Sequence, residues 1–236
     1  MKNFSHLMFS QLVAALFLAL NPLNAAANDI ATYPKQAEQG NASALNNLGS
    51  AYLMGQGVPQ DYAKAKHYYE QAAAKGSATA LNNLGSLYQV GKGVPQDYAQ
   101  AKKYYEQAAA QNNINALNNL GSLYHLGLGV KQDYAQAKRY YERAAAKGDP
   151  TALNNLGSLY HAGQGVPQDY AQAKKYYEQA VAAGDAKALY NLGVLYSKGQ
   201  GVQQDYAKAK QLFEQAAAQG NPEAHKALQK LKQMGH

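Results

Sequence analysis

The stretch ALNNLGSAYLMGQGVPQDYAKAKHYYEQAAAKG, residues 44–76, decides the fold because close copies of it follow one another along the chain. The word LNNLGS begins at Leu45, Leu81, Leu117 and Leu153, and its variant LYNLGV begins at Leu189, so every step is 36 residues. A period of roughly 20–50 residues is typical of architectures in which one small unit is stacked many times.

Each copy predicts a pair of helices, here called A and B. Helix A runs from about residue 44 to residue 54, where Leu45, Leu48 and Tyr52 fall on one stripe at steps of three and four. Helix B begins after Asp61, a residue suited to the N-cap, and its buried stripe is Tyr62, Ala65, Tyr69 and Ala72. Between them, the glycines of Gly55-Gln56-Gly57 permit a tight loop.

The turn between copies combines a C-cap with an N-cap. Helix B ends at a position that holds only Gly or Asn, which tolerate the left-handed conformation: Gly40, Gly76, Asn112, Gly148, Gly184 and Gly220. The next position holds only residues that cap helix N-termini: Asn41, Ser77, Asn113, Asp149, Asp185 and Asn221. The sequence therefore predicts a two-residue turn from each helix B into the next helix A.

Small residues inside helix A predict close helix packing. Gly49 lies in mid-helix, where glycine costs about 1 kcal/mol relative to alanine, yet it recurs in all five copies. We therefore expect a facing side chain that leaves no room for a Cβ atom. The Tyr69 position becomes Phe213 in the fifth copy, which indicates that the ring matters more there than the hydroxyl.

The motif LG-x-x-Y, followed by G-x-G-V and D-Y-x-x-A-x-x-Y-Y-E-x-A-A, resembles the Sel-one-like repeat, a relative of the tetratricopeptide repeat, over about residues 41–223. The resemblance implies an all-α fold, a right-handed α/α superhelical solenoid with helix A on its concave side. We expect a half-repeat at residues 28–43, five 36-residue helix-pair repeats at 44–223 and a C-terminal capping helix at 224–236. Members of this family are mostly scaffolds or adaptors for other proteins, and many bacterial members are exported.

The first 27 residues have the pattern of a secretory signal peptide. Lys2 precedes the apolar run LVAALFLAL (residues 12–20), and Ala25-Ala26-Ala27 supplies small residues for cleavage. The run is shorter than the ~20 residues that a membrane span needs. The sequence therefore predicts a periplasmic or secreted protein without stable membrane insertion after signal removal.

The composition argues against an enzyme. The chain has no Cys, which excludes thiolate metal sites and cysteine nucleophiles. Most of its 15 carboxylates are assigned to caps or to the Glu70 position on the outer face of helix B, so no buried acid pair remains for acid–base chemistry. His125 and His161 share one position in adjacent copies, too far apart to bind one metal ion. We expect no catalytic residue, no metal and no cofactor.

By resemblance to tetratricopeptide arrays, the inward positions of helix A are those of Ser43, Asn46, Ser50, Leu53 and Met54, which we call the A stripe. A residue's position means that residue and its equivalents at steps of 36. The A stripe predicts a groove of amides and hydroxyls that could bond an extended peptide. The candidate binding residues are Asn46, Asn82, Asn118, Asn154, Ser86, Ser122, His125, His161, Lys187, Tyr190 and Lys198. The alternative is that Asn46 and Asn47 serve packing or bonds between repeats.

These observations favour an exported, non-enzymatic scaffold that binds a protein or peptide along helix A. An alternative is a periplasmic immunity or virulence factor that binds one specific toxin or host protein. A penicillin-interacting hydrolase is a weaker alternative, because the cysteine-rich exported relatives linked to penicillin binding differ from this chain in their cysteines. Nucleic acid is not an expected partner, since each Lys66-type residue is followed by a glutamate one turn later. The oligomeric state is left open.

Overall fold

The structure, a computed structural model, describes residues 32–235, and within that range it contains twelve helices and no strand. A short helix α1 (Tyr33–Glu38) precedes five helix pairs. The A helices are α2 (Ala42–Met54), α4 (Ala78–Val90), α6 (Ile114–Leu126), α8 (Pro150–Ala162) and α10 (Ala186–Lys198). The B helices are α3 (Tyr62–Ala74), α5 (Tyr98–Ala110), α7 (Tyr134–Ala145), α9 (Tyr170–Ala182) and α11 (Tyr206–Ala218), and α12 (Pro222–Gln233) follows. The predicted all-α class of five helix pairs is confirmed. The predicted signal peptide lies outside the described residues.

The turns between copies have the predicted caps. Gly76 has φ +86°, its N–H donates to the carbonyl of Ala73, and the N–H of Ser77 donates to the carbonyl of Ala72. These two bonds form a Schellman motif. Ser77 is also the N-cap of α4, since its Oγ accepts from the N–H of Ala80 at 3.2 Å. Asn112, at the equivalent position, has φ +60° and is the one residue other than glycine with positive φ between residues 32 and 235.

The core of each copy is an aromatic ring lying on a helical glycine, a tyrosine in the first four copies and Phe213 in the fifth. A Cβ atom built on Gly49 would lie 2.6 Å from Cδ1 of Tyr69, and one on Gly85 would lie 2.5 Å from Cε1 of Tyr105. Both rings are fully buried. The expected absence of room for a side chain is therefore confirmed, and the cost of a mid-helix glycine is offset by close packing of helices A and B.

The described chain divides into two compact units, and the division falls within α6. One unit comprises residues up to 120 together with 128–130, and the other comprises 121–127 together with residues from 131 onward. In the first unit, α1 packs against α2. In the second, α12 packs against α11 and buries Ala224 and Leu231.

We expect Gly85→Ala to destabilise the protein by about 1–3 kcal/mol, because overpacking against Tyr105 and the Ala101 carbonyl outweighs the ~1 kcal/mol gain in helix propensity. Gly193→Ala should have the same sign, because its Cβ atom would lie 2.7 Å from Cε1 of Phe213, a ring without a hydroxyl. Urea unfolding with an unchanged m-value measures both effects. A gain in stability in either variant would contradict this packing.

Candidate functional site

The predicted Asn row on the A stripe is buried between neighbouring A helices. Asn82, Asn118 and Asn154 are only 5%, 8% and 5% exposed, whereas Asn46 is half-buried. The Oδ1 atom of Asn46 accepts from Nδ2 of Asn83 at 3.0 Å. Equivalent bonds run to Asn82 from Asn119 at 2.9 Å, and to Asn154 from Asn191 at 2.8 Å. At Asn46, Asn82 and Asn154 the amides therefore join consecutive copies, as the alternative interpretation of the Asn46 and Asn47 positions expected. A direct role in ligand binding stays a prediction.

In the fifth copy both halves of this amide pair are replaced. Tyr190 stands at the Asn46 position, and Ala227 stands where the next copy would place the donor. The half-buried Tyr190 ring lies 5.5 Å from the ring of Phe213. Burial raises the Tyr190 pKa and the nearby Glu223 carboxylate raises it further, while Lys226 opposes the shift. Tyr190 packs against the apolar cluster that includes Ala224 and Leu231 of α12, and the Asn46 position of this copy carries no amide that needs a partner.

The serines of the A stripe bond to the tyrosines of the core. Oγ of Ser50 lies 3.0 Å from the hydroxyl of Tyr69, and the equivalent distances at Ser86, Ser122 and Ser158 are 3.2, 3.3 and 3.3 Å. Burial raises the pKa of Tyr69 to about 12, and the bond to Ser50 opposes that shift. Ser86 and Ser122 therefore hold buried hydroxyls, and each is itself only half-buried.

The fifth copy also replaces this hydroxyl pair as a unit. Val194 stands at the serine position, and Phe213 stands at the tyrosine position. Both side chains belong to the same apolar cluster. The loss of the tyrosine hydroxyl thus coincides with the loss of its partner, so no polar atom is stranded in the core.

The two candidate histidines occupy similar environments in the second unit. The His125 ring stands edge-on to Tyr134, with 5.4 Å between centroids, and burial lowers its pKa while a hydrogen bond with Gln164 opposes the shift. Nε2 of His161 lies 3.1 Å from Oε1 of Gln200, whose Nε2 donates to the Tyr170 hydroxyl at 3.1 Å. Within residues 32–235 no group of three or more His, Asp or Glu side chains could hold a metal ion.

The exposed part of the A stripe lies at the two ends of the A helices. At the Ser43 position, Ser43, Thr79, Thr151 and Lys187 are exposed, and at the Met54 position the exposed residues are Leu126, Ala162 and Lys198. The structure thus leaves the candidates Lys187 and Lys198 open to solvent. The middle of the stripe is occupied by the amide and hydroxyl pairs.

One recurring hydrogen bond of a loop glutamine was not predicted from the sequence. Nε2 of Gln60 donates to the carbonyl of Leu53 at 2.8 Å and thereby bonds one of the last carbonyls of helix A. The same bond recurs at 2.8–2.9 Å from Gln96, Gln132, Gln168 and Gln204. The available signal was the repetition of Gln immediately before each capping Asp.

The outer face of helix B carries ion pairs rather than a continuous positive stripe. Nζ of Lys66 lies 2.6 Å from Oε1 of Glu70, and the bond to Glu70 raises the pKa of Lys66. Equivalent pairs occur at Lys102, Lys138 and Lys174. With the lysine side chains 25–30% exposed and the glutamates 43–46%, we expect only a few tenths of a kcal/mol from each pair.

Five consecutive matches to the Sel1 repeat model cover residues 42–77, 78–113, 114–149, 150–185 and 186–221, so the chain belongs to the Sel1 repeat family. This fold is a solenoid used as a scaffold for protein interactions, and Sel1 repeat proteins are typically non-catalytic. No helix in the described range is long and apolar enough to cross a bilayer.

The chain is similar to several solved structures. A Sel1 repeat protein from Oxalobacter formigenes shares 39% identity over 80% of this chain and 77% of its own, with a TM-score of 0.76. The protein c5321, a protective antigen of uropathogenic Escherichia coli, shares 35% identity over 95% of this chain but only 48% of its own, with a TM-score of 0.75. The immunity protein PA5088 from Pseudomonas aeruginosa shares 25% identity over 75% of this chain and 67% of its own, with a TM-score of 0.54. A search of curated proteins gave no match.

We expect Asn82→Ala to cost about 1–3 kcal/mol of stability, because Nδ2 of Asn119 loses its acceptor in a largely buried site. Asn82→Ala combined with Asn119→Ala should cost less than the sum of the single changes, by about 0.5–3 kcal/mol. Chemical denaturation of all four proteins gives this coupling. Additive single changes would show that the amide pair does not join the copies.

The hydroxyl pair allows a rescue experiment in the fifth copy. Phe213→Tyr should destabilise the protein by about 1–3 kcal/mol, because its new hydroxyl would meet Val194 instead of a serine. Adding Val194→Ser should restore part of that stability, because it recreates the pair seen at Ser50 and Tyr69. Thermal unfolding compares the variants, with Val194→Ser alone as the control. Equal losses in the single and double variants would contradict this account.

Proposed function

We propose that the chain is an exported, non-enzymatic scaffold that binds a protein or peptide through the exposed ends of its A helices. The observation that carries the proposal is that different positions of the A stripe have different roles: some form bonds within the protein and others are exposed to solvent. Asn46, Asn82 and Asn154 bond to the next copy, and Ser50, Ser86, Ser122 and Ser158 bond to the core tyrosines. The Ser43 and Met54 positions are mostly exposed and change from copy to copy.

Exposed side chains that differ from copy to copy allow a repeat protein to select one partner over other proteins. The Ser43 position holds Ser, Thr, Asn, Thr and Lys, and the Met54 position holds Met, Val, Leu, Ala and Lys. Both rows lie on rigid helices, which lowers the entropy lost on binding. A stacked series of such helices suits an extended partner better than a small molecule.

Export is part of the proposal and is supported by residues 1–27, which have the charged start, apolar run and small-residue site of a signal peptide. The likeness to a protein described as a protective antigen supports export as well. An N-terminal sequence of the mature protein that starts near residue 28 is the expected result.

Crosslinking in living cells tests the binding face. A photo-crosslinking residue at Thr79 or Thr151, both exposed on A helices, should capture the same discrete protein. The matched control positions are Gln107 and Gln179, exposed on the B helices of the same two copies, and they should not capture it. Capture of nothing at Thr79 and Thr151, or equal capture at all four positions, would refute binding along the A helices.

An immunity protein is the second candidate, favoured by the likeness to PA5088. In that case the captured protein would be a single toxin that harms the cell when this chain is deleted. A harmless captured protein would exclude this candidate and leave the scaffold proposal in place.

A further inference from the structure

The charge of the A stripe changes abruptly at its C-terminal end. Across the first four copies the Ser43, Asn46, Ser50, Leu53 and Met54 positions hold no Lys, Arg, Asp or Glu. In α10 and α12 the same positions, continued by steps of 36, hold four lysines and one acid: Lys187, Lys198, Lys226, Lys230 and Glu223. The change is confined to the second unit.

These residues share one face of each helix. In α10, Lys187, Tyr190, Val194 and Lys198 follow at steps of three and four, and in α12 Glu223, Lys226 and Lys230 do the same. Tyr190 of α10 packs against the apolar cluster that contains Ala224 and Leu231 of α12. The lysine-bearing stripe of α12 therefore lies beside that of α10.

Not all of these lysines are neutralised within the protein. Nζ of Lys226 lies 3.0 Å from Oε1 of Glu223, and Lys187 lies near the capping Asp185. Lys198 and Lys230 are exposed, and neither is in an ion pair in the part of the chain that the structure describes. Met234, which follows at the Met54 position, is 48% exposed. We call Lys198, Lys230 and Met234 the C-terminal patch.

We propose that the C-terminal patch binds an acidic segment of a partner protein in which carboxylates flank an apolar side chain. The inference rests on the proposed function and names the chemistry of its partner. Carboxylates complement Lys198 and Lys230 in charge, and the flexible thioether of Met234 fits apolar side chains of different shape. The uncharged copies before the patch would then contact the neutral remainder of the same partner.

Fluorescence anisotropy with the purified protein tests the patch. The probe is a labelled peptide that alternates paired glutamates with single leucines, and the comparison peptide has glutamine in place of glutamate. In about 0.15 M salt, K198Q/K230Q should weaken binding of the glutamate peptide about fivefold, the effect expected for two exposed charge pairs. The glutamine peptide should bind weakly to every variant.

The matched control is K175Q/K210Q, which removes the same charge from exposed lysines on the B helices α9 and α11. It should change the affinity less than twofold. Equal weakening by both double variants would show attraction by net charge alone and overturn the proposal. So would failure of the glutamate peptide to bind. Tighter, patch-dependent binding of anionic lipid vesicles or of single-stranded DNA would replace the acidic protein with another class of partner, and also overturn it.

The outcome can be separated from that of the proposed function by repeating the Thr79 and Thr151 crosslinking in K198Q/K230Q. If capture persists at full strength while the peptide does not bind, the scaffold proposal stands and the patch proposal fails. If neither position captures a protein in the unmodified chain, the scaffold proposal fails whatever the peptide does.

Discussion

A polar side chain buried between packed helices is stable only when its partner is buried with it. Two such partnerships define this protein: the serine–tyrosine pair between helices A and B of one copy, and the asparagine–asparagine pair between helices A of successive copies. The first is seen at Ser50 and Tyr69, and the second at Asn46 and Asn83. Each pair leaves little freedom at its positions, and this explains why LNNLGS is identical in the first four copies.

The fifth copy supports the same constraint, because both partners of each pair are replaced together. Tyr190 and Ala227 replace an amide pair, while Val194 and Phe213 replace a hydroxyl pair. Replacing both partners by apolar groups is nearly neutral, whereas replacing one strands the other. The divergence of this copy is therefore coordinated, and it suits the end of the series, where α12 packs against α11 and no further B helix follows between residues 222 and 235.

The sequence was sufficient for the features that depend on local chemistry or on the period. The 36-residue step, the caps at Ser77 and Asp61, and the clash that excludes a Cβ atom at Gly49 all follow from residue type and spacing. The exposure of the A stripe was harder to predict. A helical wheel shows that Asn82 shares a face with Thr79, but whether a neighbouring helix covers that face depends on how copies stack. The Gln60 bond depends on loop geometry that composition does not specify.

The residues that hold the repeat together differ from the residues that vary between copies. Partner recognition is therefore expected at the varying residues. Three of the amides predicted to line a peptide groove, Asn46, Asn82 and Asn154, are hydrogen-bonded between copies, so a partner that competed for them would have to break those bonds. The side chains at the Ser43 and Met54 positions are not needed for these bonds, since they lie at helix ends and are mostly exposed. Because lysines enter the stripe only in α10 and α12, and no amide pair joins these two helices, charge could be added there without stranding a buried polar atom. A repeat that is held together by buried hydrogen-bonded pairs can thus acquire binding specificity at the ends of its A helices and in its last copy, with little loss of stability.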